Sequence, residues 1–550
     1  MTYELGRFSS DPLRRMAETE NPFPDSRAIE EAYREFRFEL PFSSFRETPP
    51  TNEKIHDYDI LLFDGSSAVV TPYGETTDPI GVFPYLALGQ PAFEYPPESF
   101  GLNPKHLTSV IRSNGFRTDP NLRERLEEAA AQTMANSKRA AEYVESELPM
   151  ATIWSATAAW DAMNRFNELT GGKVLNQNGR LLSEIAERTI IINADNGGGV
   201  ASVSNLANNG VVFQESLPDS LSPTQTGFVA SMIGAEKSLT VAAACAGFSE
   251  ALHAAEIFAA SNKSNIDLTI ITSGFDGPTG LTQLGFDALG LPPSQALPYI
   301  GEEGIGYTET PGAIAMVFPT KKLAEQLGLP IAQGYLVRTV KNQGRSKMGV
   351  ERRAEIEKGI PGATYDQAFQ LLREYYPEEF SGSLLTLTHG AKTLGATLEK
   401  RILPYMRERH QIQGRIGVTS TQPILGHQYA PRGGFSLAYG LIANSEGVVW
   451  GMAPSNRDLT GFGEEENLQQ LRRSKLEKAR KSKTSMQPIN FKNERSAEKA
   501  QRDFMELGAS GVDIFFASRR IPRSAILATH QGLGGISQGV LLIPIGHSNR

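Results

Sequence analysis

The fold is decided by the stretch Ser238-Leu-Thr-Val-Ala-Ala-Ala-Cys-Ala-Gly-Phe248 and the segment that follows it. Residues 238–244 form an apolar run of strand length, residues 246–260 place apolar side chains at helical spacing, and residues 266–273 form a second strand-like run. A strand, a helix and a strand in this order predict a right-handed crossover and parallel pairing of the two strands. The segment therefore predicts an α/β fold.

Cys245 lies at the junction between the first strand and the helix, and it is the only cysteine of the chain. A single cysteine cannot form an intrachain disulfide or a multi-thiolate metal site. Two interpretations stay open at this point, a buried thiol that acts as a small hydrophobic side chain, or a nucleophile. The junction favours the nucleophile, because the positive end of a helix dipole stabilises a thiolate.

The rest of the chain alternates in the same way, which extends the α/β prediction to both halves. Helices are predicted within 119–170 and near 364–376, 394–409 and 433–445. Further strands are predicted at 59–63, 189–195, 312–318, 331–340, 384–387, 416–420, 524–529 and 539–545.

Two segments depart from this pattern. Residues 1–57 are rich in Pro, Glu, Arg and Phe, and we expect an extension that wraps a surface of the chain or a partner subunit. Residues 455–503 are highly charged, and they contain the basic run 472–483. A solvated helix or a flexible insertion is the ordinary structure for such a run, and a docking patch for an acidic partner is the alternative.

The composition limits the class of protein. The chain has 550 residues, of which 40% are hydrophobic and 21% are charged, so a large core is available. The net charge of −8 argues against a general nucleic-acid binder. The start does not resemble a signal peptide, and no run of about 18 apolar residues is present. We therefore expect a soluble, cytoplasmic protein with no membrane segment, no nucleic-acid partner and no metal site.

Two of the eight histidines stand beside a glycine where a predicted strand ends. His389 follows Leu384-Leu-Thr-Leu-Thr388, and His427 follows Gly426. Such positions suit catalysis better than a position inside a helix. His253, eight residues after Cys245, is instead interpreted as a core histidine.

Four short motifs occur in a fixed order, and the ordered set resembles the β-ketoacyl synthases, condensing enzymes of the thiolase fold. The resemblance covers about residues 58–545. The motifs are Ala244-Cys-Ala-Gly-Phe248 with His253 downstream, Thr388-His-Gly-Ala-Lys-Thr393, Gly426-His427 followed by Ala430 and Gly433-Gly434, and Thr529-His-Gln-Gly-Leu-Gly-Gly535.

The resemblance implies a duplicated α/β fold with five layers, α-β-α-β-α, in a homodimer. The N-terminal half, residues 58–325, would carry the nucleophile Cys245. The C-terminal half, residues 326–550, would carry both catalytic histidines and the charged insertion 455–503.

The resemblance also implies the chemistry. Cys245 would accept an acyl group, and His389 and His427 would hydrogen-bond the thioester carbonyl of a malonyl-type extender. The backbone amides of Cys245 and Gln531 would form the oxyanion hole. The substrates would arrive as phosphopantetheine or CoA thioesters, with an acyl carrier protein as partner and no other cofactor. Candidate basic residues for that partner are Lys400-Arg401, Arg519-Arg520 and the run 472–483.

The chain departs from the family pattern at two positions in the predicted pocket. Gln422 stands where the family usually has a lysine, which normally pairs with a glutamate, here most nearly Glu399. Gln531 stands at a gating position where the family commonly has phenylalanine, and His530 beside it adds a further polar group. A neutral amide supplies no positive charge, so the electrostatics around His389 must differ.

Three functional classes remain open: a decarboxylating condensing enzyme, an acyltransferase that uses acyl-Cys245 without forming a C–C bond, and a non-catalytic partner subunit. Retention of Cys245 counts against the third class. A serine hydrolase is disfavoured although Gly535-Ile-Ser-Gln-Gly539 fits its motif, because a strand-like run follows where a helix is needed.

Overall fold

The structure is a computed structural model that describes residues 25–51, 55–73, 76–92, 120–133, 138, 140–146, 148–195, 222–261, 265–275, 297–301, 306, 308–343, 360–376, 380–391, 394–480, 486–532 and 536–546. Residues 1–24 of the N-terminal extension, the end of the basic run at 481–483 and the glycines at 534–535 lie outside these ranges.

The described strands and helices alternate along the chain. The strands are β1 Leu61–Leu62, β2 Ser67–Val70, β3 Thr189–Asp195, β4 Lys237–Ala242, β5 Leu268–Phe275, β6 Gly312–Pro319, β7 Tyr335–Gln343, β8 Leu384–Leu387, β9 Ile416–Thr419, β10 Val448–Val449, β11 Val512–Ile514, β12 Arg519–Arg520, β13 Ala525–Gly532 and β14 Ile536–Pro544. The helices are α1 Ser26–Glu39, α2 Pro79–Ala87, α3 Pro120–Thr133, α4 Ala140–Ser146, α5 Met150–Leu169, α6 Ser183–Ala186, α7 Ser222–Ile233, α8 Gly247–Ala260, α9 Lys321–Leu327, α10 Ile360–Tyr375, α11 Leu394–Arg409, α12 Gln422–Leu425, α13 Arg432–Glu446, α14 Glu464–Arg480 and α15 Glu494–Ala509.

The first sheet has five strands in the order β2-β6-β5-β3-β4. Strand β3 lies between β4 and β5 and pairs with both in parallel, whereas β6 is antiparallel to β5 and to β2. Every residue of β3, β5 and β6 is buried, including polar residues such as Asn193 and Thr272, as expected for strands that are covered on both faces. Strands β4 and β5 are therefore parallel, as predicted from the sequence, but the expected direct pairing is wrong because β3 lies between them.

The second sheet has seven strands in the order β1-β7-β14-β13-β8-β9-β11. Strands β13, β8, β9 and β11 run parallel, and β14 and β7 extend the sheet in antiparallel pairing. The strand predicted at 331–340 starts later than expected. Residues Ile331–Gln333 form a 3₁₀ turn, in which the Gln333 N–H bonds to the carbonyl of Pro330, and β7 begins only at Tyr335.

Helices fill three layers around the two sheets. Helix α8 contacts β3 and β5 of the first sheet and β7 and β14 of the second, and α13 packs beside it, so these two helices form the central layer. Helices α5 and α7 cover the outer face of the first sheet, and α10 and α15 contact the outer face of the second. The expected α-β-α-β-α layering is therefore confirmed.

The N-terminal extension and the charged insertion pack against each other in the described ranges. Helix α1 lies along α14, where Lys475 forms ion pairs with Glu35 at 3.2 Å and with Glu39 at 2.7 Å. Arg472, in the same basic run, is fully buried. The docking patch expected around Arg472 and Lys475 is therefore wrong for these two residues, because the chain itself engages both.

None of the described helices is long and apolar enough to cross a membrane.

Candidate active site

Cys245 lies where the carboxyl end of β4 meets the central helix layer. Ala244 has a positive φ of 48°, and a 3₁₀ turn over Ala244–Ala246 leads into α8 at Gly247. A Cβ at Gly247 would lie 2.9 Å from Cβ of Ala430, so only glycine permits this close approach. The turn therefore places the cysteine beside the segment that contains Ala430.

The thiol is buried beside two aromatic side chains, Phe275 and Tyr429, whose ring centroids are 4.5 Å apart. Burial raises the pKa of Cys245 to about 12, although the guanidinium of Arg432 acts in the opposite direction. The resting cysteine is therefore a thiol at neutral pH, and it needs nearby positive charge to react as a thiolate.

His389 follows the carboxyl end of β8, and its ring faces β13. The backbone N–H of Gln531 donates to Nδ1 of His389 over 3.3 Å. Gly390 has a φ of 64°, and a Cβ there would lie 2.0 Å from Oγ of Ser420. The glycine after the histidine is thus required by the turn. With Nδ1 accepting, the neutral ring carries its proton on Nε2.

His427 follows the short helix α12 and is fully buried. Its Nδ1 accepts from the backbone N–H of Tyr429 at 3.1 Å, and the backbone N–H of His427 donates to the carbonyl of Thr308 at 2.7 Å. Gly426, with a φ of 82°, lies so close to Thr310 that a Cβ would approach that side chain to 2.3 Å. The neutral ring of His427 therefore also carries its proton on Nε2.

The two imidazoles form a pair of neutral hydrogen-bond donors. Their ring centroids are 5.5 Å apart. Burial first, and the charge of Arg432 second, hold the pKa of each ring well below its usual value. Both rings are therefore uncharged at neutral pH, and each presents an Nε2–H that one ligand oxygen could accept.

Glu399 is buried and held by two tyrosines. The hydroxyl of Tyr299 donates to its carboxylate over 2.5 Å, and that of Tyr365 over 3.0 Å. Tyr299 also bonds to Oγ1 of Thr388, the residue before His389, at 2.6 Å. Burial raises the pKa of Glu399 to about 7, while the tyrosine hydrogen bonds act against this rise. Glu399 thus connects to the histidine loop through Tyr299.

The remaining predicted residues have more varied surroundings. Gln422 is buried, and its Oε1 contacts no donor among the described residues. His530 is buried, with Nδ1 at 2.8 Å from Oγ of Ser249. The half-buried His253 bonds to Oγ1 of Thr339 at 2.8 Å, in line with a structural histidine. The Gln531 N–H donates to His389, so its use as an oxyanion donor requires exchange of that bond and stays a prediction.

Arg432 belongs to the site and was missed by the sequence analysis. It is the first residue of α13, it is fully buried, and its Nη2 donates to the carbonyl oxygens of Thr388, at 3.0 Å, and His389. Its charge also acts on the pKa of Cys245. The available signal was a lone charged residue among small and apolar ones in Tyr429-Ala-Pro-Arg-Gly-Gly434.

No family model and no curated protein matches the sequence. Solved structures do match. A β-ketoacyl synthase from Burkholderia phymatum has a TM-score of 0.59 at 13% identity, with 88% of this chain and 100% of that chain covered. An oxazolomycin ketosynthase domain from Streptomyces albus has a TM-score of 0.57 at 15% identity, covering 88% and 75%. A ketosynthase from module 6 of the Bacillus subtilis bacillaene synthase has a TM-score of 0.56 at 12% identity, covering 89% and 73%.

The protein therefore has the thiolase-type fold, and more particularly the architecture of the ketosynthases. The resemblance inferred from the four motifs is confirmed at the level of the fold. At 12–15% identity, arguments about the reaction depend on the site itself.

Proposed function

We propose that the protein is a β-ketoacyl synthase-type condensing enzyme, in which Cys245 accepts an acyl group and His389 and His427 activate a malonyl-type extender. The observation that supports this most strongly is the histidine pair. Both Nδ1 atoms accept backbone N–H groups, so each neutral ring carries its proton on Nε2 as a donor. Two such donors on one thioester oxygen stabilise an enolate.

In the first half-reaction, the sulfur of Cys245 attacks the carbonyl carbon of an acyl thioester. A C–S bond to Cys245 forms, the bond to the carrier sulfur breaks, and the carrier thiol leaves with the proton of Cys245. The burial that raises the pKa of Cys245 opposes this step, whereas Arg432 and the first turn of α8 favour the thiolate.

In the second half-reaction, the extender binds with its thioester oxygen between the two Nε2–H groups. The bond between the carboxylate carbon and the methylene breaks, CO₂ leaves, and the electron pair forms an enolate. The methylene carbon then attacks the acyl-Cys245 carbonyl, and the Cys245 thiolate leaves. The product is a 3-ketoacyl thioester, and the reaction needs no metal or redox cofactor.

An acyl carrier protein is the partner in this proposal. A surface cavity of about 660 Å³ is lined by Tyr299, Lys400, Arg401 and Lys499, and Tyr299 connects it to Glu399 inside the site. Lys400 pairs with Asp503 at 3.1 Å, whereas Arg401 and Lys499 are exposed and form no ion pair with the described residues. We infer that these two cations receive an acidic carrier, and a homodimer in the cytoplasm remains part of the proposal.

The test is mass spectrometry of the intact protein with acyl- and malonyl-pantetheine thioesters, together with measurement of CO₂ release. We expect an acyl adduct on the wild type that Cys245→Ala lacks. His427→Ala removes one enolate donor, so CO₂ release should fall about 10²–10³-fold. Product analysis should identify a 3-ketoacyl thioester, and its absence with every chain length tested would contradict the proposal.

The second candidate is an acyltransferase that uses acyl-Cys245 without decarboxylation. It is favoured by the hydrogen bond from the backbone N–H of Gln531 to His389. This N–H is the expected oxyanion-hole donor, and in the described structure it donates to the histidine instead. Acyl-Cys245 that forms without any CO₂ release, and that transfers its acyl group to an alcohol or amine, would establish this second function instead.

A further inference from the structure

Arg432 is a buried cation with unused donors. None of its side chain is exposed, and only Nη2 is hydrogen-bonded, to the carbonyls of Thr388 and His389. Nε and Nη1 contact no acceptor among the described residues. A buried donor without an acceptor costs about 1–3 kcal/mol, and more when it is charged, so such an arrangement indicates a missing ligand.

The guanidinium lies between the nucleophile and the histidine pair. Helix α13, which begins with Arg432, packs against the 3₁₀ turn that carries Cys245. The next residue, Gly433, is so close to the first turn of α8 that a Cβ would lie 3.0 Å from Cβ of Phe248. The Nη2 contacts place the guanidinium on the backbone of the His389 loop. A ligand that bonds to the unused nitrogens would therefore lie within the reacting site.

The resting site neutralises this charge only in part. The acidic groups whose charge acts on Arg432 are Cys245, Glu399 and Tyr299. Burial raises the pKa of Cys245 to about 12, that of Glu399 to about 7, and that of Tyr299 well above its usual value. None of the three bonds to the guanidinium in the described structure. At neutral pH Cys245 and Tyr299 are protonated and Glu399 is only partly ionised, so the buried guanidinium contacts no fully ionised group among the described residues, and an anionic ligand would stabilise it.

The proposed reaction contains one substrate with a full negative charge close to the reacting carbon, the extender. We propose that Arg432 binds the carboxylate of the malonyl-type extender while His389 and His427 bind its thioester carbonyl. This inference rests on the proposed function and adds a specificity determinant to it. When the C–C bond breaks, the carboxylate leaves as neutral CO₂, and the negative charge moves to the enolate oxygen at the histidines.

The experiment compares the binding of two stable analogues by calorimetry, malonyl- and acetyl-pantetheine in which nitrogen replaces the thioester sulfur. They differ only in the carboxylate. We expect the wild type to bind the malonyl analogue at least about 10-fold more tightly. Arg432→Gln should lose about 10- to 100-fold for the malonyl analogue, the range for a charge-assisted hydrogen bond, and should bind both analogues with similar affinity.

Two further variants make the test decisive. Arg432→Lys keeps the charge, so it should keep part of the malonyl preference even if Arg432→Gln fails to fold. His427→Ala removes a contact to the carbonyl that both analogues share, so it should weaken both equally. Equal binding of the analogues by the wild type, or equal weakening of both by Arg432→Gln, would overturn the subsite.

The binding assay does not depend on turnover. Condensation without a preference for the malonyl analogue would contradict the carboxylate subsite and leave the proposed function in place. A malonyl preference without condensation would remove the proposed function and leave a carboxylate-binding site.

Discussion

Arg432 and Arg472 are both fully buried, but their surroundings differ. Arg472 uses Nη1 and Nη2 to bond the carbonyls of Ala453 and Phe516 and the side chains of Gln469 and Ser518, and leaves one nitrogen, Nε, without an acceptor among the described residues. Arg432 uses one nitrogen for two carbonyls and leaves two nitrogens without acceptors among the described residues. A structural arginine connects elements that would otherwise separate, whereas an arginine in a binding site retains donors for a ligand.

The first prediction tests this difference in stability, with methionine at each position. Arg472→Met should cost about 3–5 kcal/mol, because it leaves the buried oxygen atoms of several segments without donors. Arg432→Met should cost less than about 1 kcal/mol, because it also removes a buried charge and two unsatisfied donors. Urea unfolding followed by far-UV circular dichroism measures both. Equal destabilisation by the two substitutions would mean that Arg432 is structural as well.

The next prediction concerns the carboxylates near the two arginines. Glu465, near Arg472, pairs with Arg519, whereas Glu399, near Arg432, accepts hydrogen bonds only from tyrosines within the described part of the chain. The pKa of Glu399 is about 7 in the fold, above the value of 4.5 for an unperturbed glutamate. The unfolded chain therefore loses this proton first as the pH rises, and the folded state loses stability between about pH 4.5 and 7.

Glu399→Gln removes this titration. Relative to the wild type, the variant should gain about 3 kcal/mol in free energy of unfolding between pH 4.5 and pH 7.5, with little further change above. Thermal unfolding at a series of pH values measures this gain. Tyr299→Phe, which removes a donor to the ionised carboxylate, should shift the loss of wild-type stability to higher pH. A pH-independent difference between wild type and Glu399→Gln would show that Glu399 titrates normally.

The sheets could be predicted from the sequence because strands that are buried on both faces consist mainly of apolar residues. The run at 312–318 is apolar, and the run at 189–195 is mainly apolar, with Thr189, Asn193 and Asp195 as exceptions; both are strands with every residue buried. His389 and His427 were also visible, since each stands beside a glycine that its turn requires. These features depend on neighbours in the chain.

The features that sequence analysis missed depend on contacts between distant residues. The pairing of Glu35 with Lys475 joins positions 440 residues apart, and nothing in the basic run indicates an acidic helix near the start of the chain. Arg432 was missed for a related reason. A charged residue is usually exposed, and only the fold shows that this one lies beneath the His389 loop.

The last prediction compares two basic surface positions, Arg401 near the site of Arg432 and Lys475 on the helix of Arg472. Arg401, in the cavity connected to Glu399 by Tyr299, is exposed, whereas Lys475, on the helix of Arg472, pairs with Glu35 and Glu39. Arg401→Glu should raise the KM for a carrier-bound acyl group severalfold at low salt, because charges at the rim of an interface act mainly on the association rate. Lys475→Glu should leave that KM unchanged and lower the free energy of unfolding by about 1 kcal/mol or less, as expected for a surface ion pair.

Steady-state kinetics with carrier-bound and pantetheine-bound substrates distinguishes a docking effect from a loss of stability, since the pantetheine substrate lacks the carrier surface. A KM effect from Lys475→Glu alone would move the docking surface to the α1–α14 helix pair.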